Sequence, residues 1–123
     1  RSQKYHELYL NNKVEICWLF ARSRCQFRFR GKANIEISKE TQCHWEQLSE
    51  KNKAMWSWPS PGEHYSVNRT KDLTFTKNEE ISRNFSLIRI EISQVDHLLL
   101  HKPIHLRKRW ILKNEWIEER INP

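Results

Sequence analysis

Basic side chains recur at every second residue along one part of this sequence. The polar positions of this stretch are Gln26, Arg28, Arg30 and Lys32. Because alternate side chains of a β-strand point to the same face, a strand here would present a cationic wall suited to a phosphate or another anion. The same periodicity is typical of a solvated sheet face, so the spacing alone leaves both interpretations open.

A second basic cluster consists of His105, Arg107 and Arg109, which also alternate. On a strand they would share one face. Two guanidinium groups beside a titratable imidazole would suit a site that binds phosphate and exchanges a proton. The alternative is a charged edge strand, which discourages aggregation between sheets.

Several other kinds of site are not indicated by the sequence. The only glycines are Gly31 and Gly62, so a phosphate would be held by side chains rather than by a glycine-rich loop. The three cysteines show no C-x-x-C spacing, which predicts reduced thiols in a cytoplasmic protein and no metal site. No metalloprotease, nucleophile-elbow or paired-carboxylate motif is present, so redox chemistry would need a borrowed cofactor.

Composition indicates one domain, residues 1–123, with an anionic partner. The net charge is +7 and the sequence pI is about 9.5, which favours phosphate, nucleic acid or a negative membrane surface. No apolar run approaches the roughly 20 residues that span a bilayer.

Nucleic acid is a less favoured partner, although Phe27-Arg28-Phe29-Arg30 invites comparison with sheet-based RNA binders. In a strand, Phe27 and Phe29 point away from the face that carries Arg28 and Arg30. If the apolar face is core, these rings are not available to stack on bases.

The elements that would position these side chains are mainly strands. Residues 2–10 predict a short helix capped by Ser2 and ended at Asn11-Asn12. Alternation in 14–20 and 26–37, with a polar turn between, predicts an antiparallel hairpin. Thr41 predicts the start of a helix that runs to about residue 57, where prolines follow.

The last third predicts four more strands, at 85–92, 95–100, 105–112 and 115–121, separated by short turns. The polar stretch 63–83 between helix and strands is long for a structureless connection and predicts a functional flap or an excursion. Some six strands and one main helix predict a mainly β protein, a β-barrel with flanking helices.

The sequence resembles the pyridoxamine 5′-phosphate oxidase superfamily, the FMN-binding split barrels, and especially its oxidase-related branch. Four landmarks carry the likeness: Arg1-Ser2-Gln3-Lys4, then Gln26-Phe27-Arg28 leading to Gly31-Lys32-Ala33, then His105-Leu106-Arg107, then Trp116 with Ile121-Asn122-Pro123. The resemblance implies an FMN-binding flavoprotein, an oxidoreductase of unknown substrate, or a flavin-binding module without turnover.

The resemblance also implies roles for individual residues. Gln3 and Lys4 would bind the FMN phosphate, although Gln3 stands where the family usually has arginine. Gln26 would hydrogen-bond the flavin, Arg107 would approach its ring, and His105 would lie on the substrate side. Oxidation of vitamin B6 phosphates is not implied, because Met55 and Trp58 stand where the family has the Tyr and Arg that hold the substrate phosphate.

Assembly is the last implication of the resemblance. The family builds its flavin site between two subunits, which implies a homodimer with FMN at the interface. It also places two or three strands before the Ser-x-Lys motif, so we expect the barrel of this chain to lack its N-terminal strands and the chain to be part of a longer protein.

Overall fold

The computed structural model describes residues 2–56, 58–59, 62–65 and 80–123. The chain divides into two compact units, the first formed by Arg1–Asn11 with Ile35–Arg89 and the second by Asn12–Asn34 with Ile90–Pro123. The expectation of one domain over residues 1–123 stays a prediction. Most of the polar segment 63–83 lies outside the described residues.

A five-stranded sheet dominates the described structure, in the order β1-β2-β3-β4-β5. Its strands are β1 (Lys13–Phe20), β2 (Cys25–Glu36), β3 (Leu87–Leu99), β4 (Leu106–Ile111) and β5 (Glu119–Ile121). The pairs β1–β2, β3–β4 and β4–β5 are antiparallel. The mainly β class predicted from the sequence is confirmed.

The predicted hairpin is confirmed in both its strands and its turn. Trp18 lies opposite Phe27 and Ile16 opposite Phe29, so the apolar side chains of both strands share a face. Arg24 has a φ of 48° and its N–H donates to the carbonyl of Ala21, which closes the polar turn.

The apolar face of β1 is exposed over much of its area. Trp18 is 59% exposed and Phe20 is 42% exposed. Among the described strands, β1 lies at the end of the sheet order. Alternation identifies a strand face correctly, but it does not say whether a second layer covers that face.

The described residues of the first unit form three short helices: α1 (Gln3–Leu10), α2 (Lys39–Glu46) and α3 (Glu50–Met55). The first was predicted correctly as a helix, and Ser2 lies at its N-cap position, but the Ser2 side chain makes no capping hydrogen bond. The prediction of one helix from Thr41 to residue 57 was wrong. Ser38 caps α2 in a capping box with Thr41 as its third residue, and Ser49 starts α3 by accepting from the Asn52 N–H.

Two predicted boundaries in the last third were also wrong. The strands expected at 85–92 and 95–100 form the single strand β3, and the strand expected from residue 115 begins only at Glu119. A 3-10 turn over Leu112–Asn114 precedes Glu115 and Trp116, which have φ of 53° and 60°. In the described parts of the chain, no helix is long and apolar enough to cross a membrane.

The core of the first unit is centred on Trp45. Its side chain is 1% exposed and its ring meets that of Phe85 edge-on at 5.2 Å between centroids. Trp56 contacts Phe85 in the same way at 5.1 Å. These rings join α2 and the end of α3 to the segment that enters β3.

Candidate functional site

Strand β2 supplies one wall of a pocket in the second unit. Gln26 and Arg28, two residues apart, point to the face opposite Phe27 and Phe29 and line this pocket. The rings of Phe27 and Phe29 stack on each other with their planes 12° apart. The predicted separation of basic and aromatic side chains on β2 is therefore what the structure has.

Strands β3 and β4 supply the rest of the pocket. Asp96 and Leu98 of β3 line it together with Arg107 of β4. Leu98 lies opposite Arg107, and Asp96 lies opposite Arg109, in the antiparallel register. Gln26 and Arg107, which are far apart in sequence, thus share one pocket.

Asp96 is the centre of the polar contacts at this site, and it is 3% exposed. Arg109 binds it through two nitrogens, Nε to Oδ1 at 2.7 Å and Nη2 to Oδ2 at 2.9 Å. Arg107 donates one further bond, from Nη2 to Oδ2 at 2.7 Å. Gln94 Nε2 completes the set at 3.1 Å from Oδ1, so both carboxylate oxygens are satisfied.

These contacts determine the ionisation of the cluster. The hydrogen bond from Arg109 holds the pKa of Asp96 far below its usual range, and that from Arg107 acts in the same direction against the opposing effect of burial. In turn, the hydrogen bond to Asp96 raises the pKa of Arg109. Asp96 is therefore a carboxylate at any pH near neutrality.

The outer part of the basic wall on β2 is also paired. Glu15 of β1 accepts from Arg30 and lies 3.6 Å from the Arg28 guanidinium. These side chains are about half exposed, so the pairs contribute little to stability. They do reduce the positive charge that this face presents to a ligand.

The remaining predicted site residues lie elsewhere. Gln3 and Lys4 are exposed residues of α1, in the first unit, and Gln3 Nε2 donates to Glu7 at 2.7 Å. His105 is exposed and precedes β4, so the expectation that it shares a strand with Arg107 and Arg109 was wrong. It is not among the residues that line the pocket.

Sequence reasoning missed Asp96, the most buried polar residue of the site. Its signal was an acidic residue between Val95 and Leu98, in a stretch that is otherwise suited to a strand. The supposed turn at residues 93–94 placed Asp96 near a strand end, where an acidic residue is unremarkable. A buried acid within a strand instead predicts a partner cation on a neighbouring strand.

Residues 1–37 match the family model described as "Pyridoxamine 5'-phosphate oxidase, FMN-binding domain". These residues include Gln3, Lys4, Gln26 and Arg28. None of the curated proteins compared with this sequence matches it.

Two solved structures are similar to almost the whole chain. One is a pyridoxamine 5′-phosphate oxidase-related, FMN-binding protein from Nostoc punctiforme, with 28% identity, a TM-score of 0.85, and coverage of 99% of this chain and 69% of that one. The other is PhzG from Burkholderia lata, in complex with tetrahydrophenazine-1-carboxylic acid, with 18% identity, a TM-score of 0.84, and coverage of 99% and 64%. The chain therefore spans about two thirds of the length of these proteins.

The predicted resemblance to the FMN-binding pyridoxamine 5′-phosphate oxidase proteins is confirmed by the family match and by these structures. The predicted split-barrel fold is confirmed by the same similarity.

Proposed function

We propose that this chain binds FMN, with Gln26 and Arg107 at the flavin ring and with Gln3 and Lys4 at the phosphate. The observation that carries the proposal is the shared pocket of Gln26 and Arg107. The resemblance assigned both residues to one ligand from motifs far apart in sequence.

The chemistry of the pocket fits a flavin ring. A flavin edge alternates carbonyl and N–H groups, and the Gln26 amide can both donate and accept hydrogen bonds. Arg107 adds a fixed positive charge, which would stabilise the negative charge that a flavin gains on reduction. Lys4 suits the phosphate because a flexible ammonium group pairs well with a point charge.

We further propose that the protein acts as a homodimer with FMN at the subunit interface. The pocket formed by Gln26, Arg28, Asp96, Leu98 and Arg107 has a volume of about 180 Å³. Pockets that enclose a drug-sized ligand usually measure about 300–1,000 Å³. The size of this pocket therefore supports a site that a second surface completes.

As a reaction class, we propose an FMN-dependent oxidoreductase of the pyridoxamine 5′-phosphate oxidase type, with His105 on the substrate side. Bound FMN would supply the redox chemistry by accepting hydride from a small-molecule substrate. The protein residues would hold the ring and set its electrostatic surroundings. The cysteines Cys17, Cys25 and Cys43 are unpaired, which favours a reducing compartment, and we place the protein in the cytoplasm.

The test is a titration of the purified protein with FMN, followed by quenching of flavin fluorescence. Replacing Lys4 by Ala should weaken binding by about 1.5–3 kcal/mol, the scale of a hydrogen bond to a charged group. Gln26→Ala should weaken it by about 0.5–1.5 kcal/mol, the scale of a neutral hydrogen bond. Lys51→Ala, an exposed helical lysine of the first unit, is the matched control and should bind like the wild type.

Three outcomes separate the alternatives. A wild-type protein that does not bind FMN removes the proposed function, whereas wild-type affinity in both Lys4→Ala and Gln26→Ala removes only the site assignment. For a protein that binds FMN, anaerobic mixing with candidate substrates distinguishes an oxidoreductase from a flavin-binding module without turnover. Only the oxidoreductase loses its flavin absorbance when the substrate reduces it.

A further inference from the structure

Asp96 is shared unequally by its two arginines. Arg109 uses two nitrogens in a forked contact with both carboxylate oxygens, whereas Arg107 uses one nitrogen, at 2.7 Å. Arg107 lines the pocket and Arg109 does not. The carboxylate therefore holds Arg109 by two hydrogen bonds and Arg107 by one.

Without a partner, the Arg107 side chain would populate several rotamers. A long cationic side chain loses up to about 2 kcal/mol of rotamer entropy when it is fixed. Here the fixing is done within the protein, because Asp96 is nearly buried and ionised and Arg107 is only 24% exposed. A guanidinium that is already fixed before binding loses less rotamer entropy when a ligand binds.

We propose that Asp96 is a positioning residue, which orients Arg107 toward the pocket and thereby sets the affinity of the site for the flavin without contacting it. The inference rests on the proposed function, because Arg107 is taken to be the ring-binding arginine. Arg109 binds both oxygens of the same carboxylate but does not line the pocket.

An effect of Asp96 on FMN affinity could come from the orientation of Arg107 or from net charge, and the two explanations predict different results for a charge-balanced variant. Asp96→Asn alone removes the negative charge and replaces one of the two acceptor oxygens by an NH2 group, so it changes both. In the double variant Asp96→Asn/Arg109→Gln, one anion and one cation are lost together, and the net charge of the three positions stays the same. An effect of charge alone predicts unchanged FMN affinity in this variant, whereas positioning predicts a loss.

The experiment measures the FMN dissociation constant by fluorescence quenching at constant ionic strength. We expect the charge-balanced double variant to bind FMN about 10- to 100-fold more weakly, the scale of a lost hydrogen bond to a charged group. Arg109→Gln alone should stay within about 3-fold of the wild type, since Arg107 keeps its bond to Asp96. A double variant with wild-type affinity, or an equal loss in Arg109→Gln alone, overturns the proposal.

A third set of variants asks whether Asp96 acts through Arg107. In an Arg107→Gln background, the double substitution should cause no further loss of FMN affinity, because the positioned group is already absent. Losses that simply add would show that Asp96 acts by another route and would overturn the proposal. A double variant that does not fold is replaced by Asp96→Glu, which keeps the carboxylate but moves it: weaker FMN binding supports positioning, and wild-type binding overturns it.

Two measurements separate this inference from the proposed function. Glu118→Gln, which breaks the exposed contact of Glu118 with Lys108 on the other face of β4, should retain wild-type affinity, and an equal loss there would overturn the proposal. If the wild type does not bind FMN, both proposals fail. If the wild type binds and the double variant binds equally well, only the role of Asp96 fails.

Discussion

Gly31 lies in close contact with the backbone of β3, and replacing it by Ala should disrupt the sheet. An added Cβ would lie 2.1 Å from the Glu91 carbonyl oxygen, 2.8 Å from its carbon and 3.0 Å from the Ile92 Cα. All three atoms belong to backbone, so no side chain can rotate away. The two strands would have to move apart by about 0.9 Å to bring the first contact even to 3.0 Å.

The magnitude follows from two opposing effects. Overpacking of a tight interior costs about 1–3 kcal/mol, and a clash with backbone lies at the upper end of that range. Alanine also restricts the unfolded chain, which stabilises the folded state by about 0.4–1 kcal/mol. We therefore expect Gly31→Ala to lower the free energy of unfolding by about 2 kcal/mol, a fall in the thermal midpoint of about 6–10 °C.

Urea unfolding followed by circular dichroism measures this effect. Lys32→Ala is the control, because Lys32 is the exposed neighbour on the same strand and its loss should change stability by less than about 0.5 kcal/mol. If Gly31→Ala is as stable as Lys32→Ala, the close approach of β2 and β3 at this point is refuted.

Two further predictions concern pH and assembly. The pKa of Asp96 is lowered by folding, so its contribution to stability is fully present above the ordinary Asp value of about 3.9 and is lost as pH falls below it. The difference in urea midpoint between wild type and Asp96→Asn should therefore be constant near neutrality and shrink toward pH 3. A difference that does not change with pH would contradict the ion pairs of Asp96. Sedimentation velocity should give a species of twice the 15.1 kDa chain mass, and a monomer that still binds FMN tightly would exclude the interfacial site.

Local patterns in the sequence were sufficient to predict the β1–β2 hairpin. Its alternation, its length and its polar turn all act over neighbouring residues, and they identified both strands and the turn between them. Helix α1 was predictable for the same reason, because a serine at the N-cap position and the Asn11-Asn12 stop are local signals.

Errors arose where a second local signal or a contact across the sheet overrode the pattern that was used for the prediction. The periodic stripe from Trp45 to Met55 predicted one helix, but Ser49 offered a second N-cap and the chain broke there. Ser93 and Gln94 suggested a turn, yet both continue β3, where the Ser93 hydroxyl donates to the Arg30 carbonyl and the Gln94 amide to Asp96. Polar residues that find partners across a sheet do not need to end a strand.

The site was predictable only in part, and for a different reason. Periodicity placed Gln26 with Arg28 and placed Arg107 with Arg109, but it contained no information about which strands are neighbours. The resemblance joined Gln26 to Arg107, and the shared pocket agrees with that pairing. Asp96 was missed because its role depends on a register between β3 and β4 that no local pattern specifies.

The distribution of paired charges argues against nucleic acid as the ligand of this face. Binding to a polyanion gains most of its free energy when several uncommitted cations neutralise successive phosphates. Here Arg28 and Arg30 share Glu15, and Arg109 is bound by both oxygens of Asp96. The rings that would stack on bases lie on the opposite face of β2. The pocket lined by Gln26, Arg28, Asp96, Leu98 and Arg107 holds two cations and one anion, which suits one flavin ring better than a strand of phosphates.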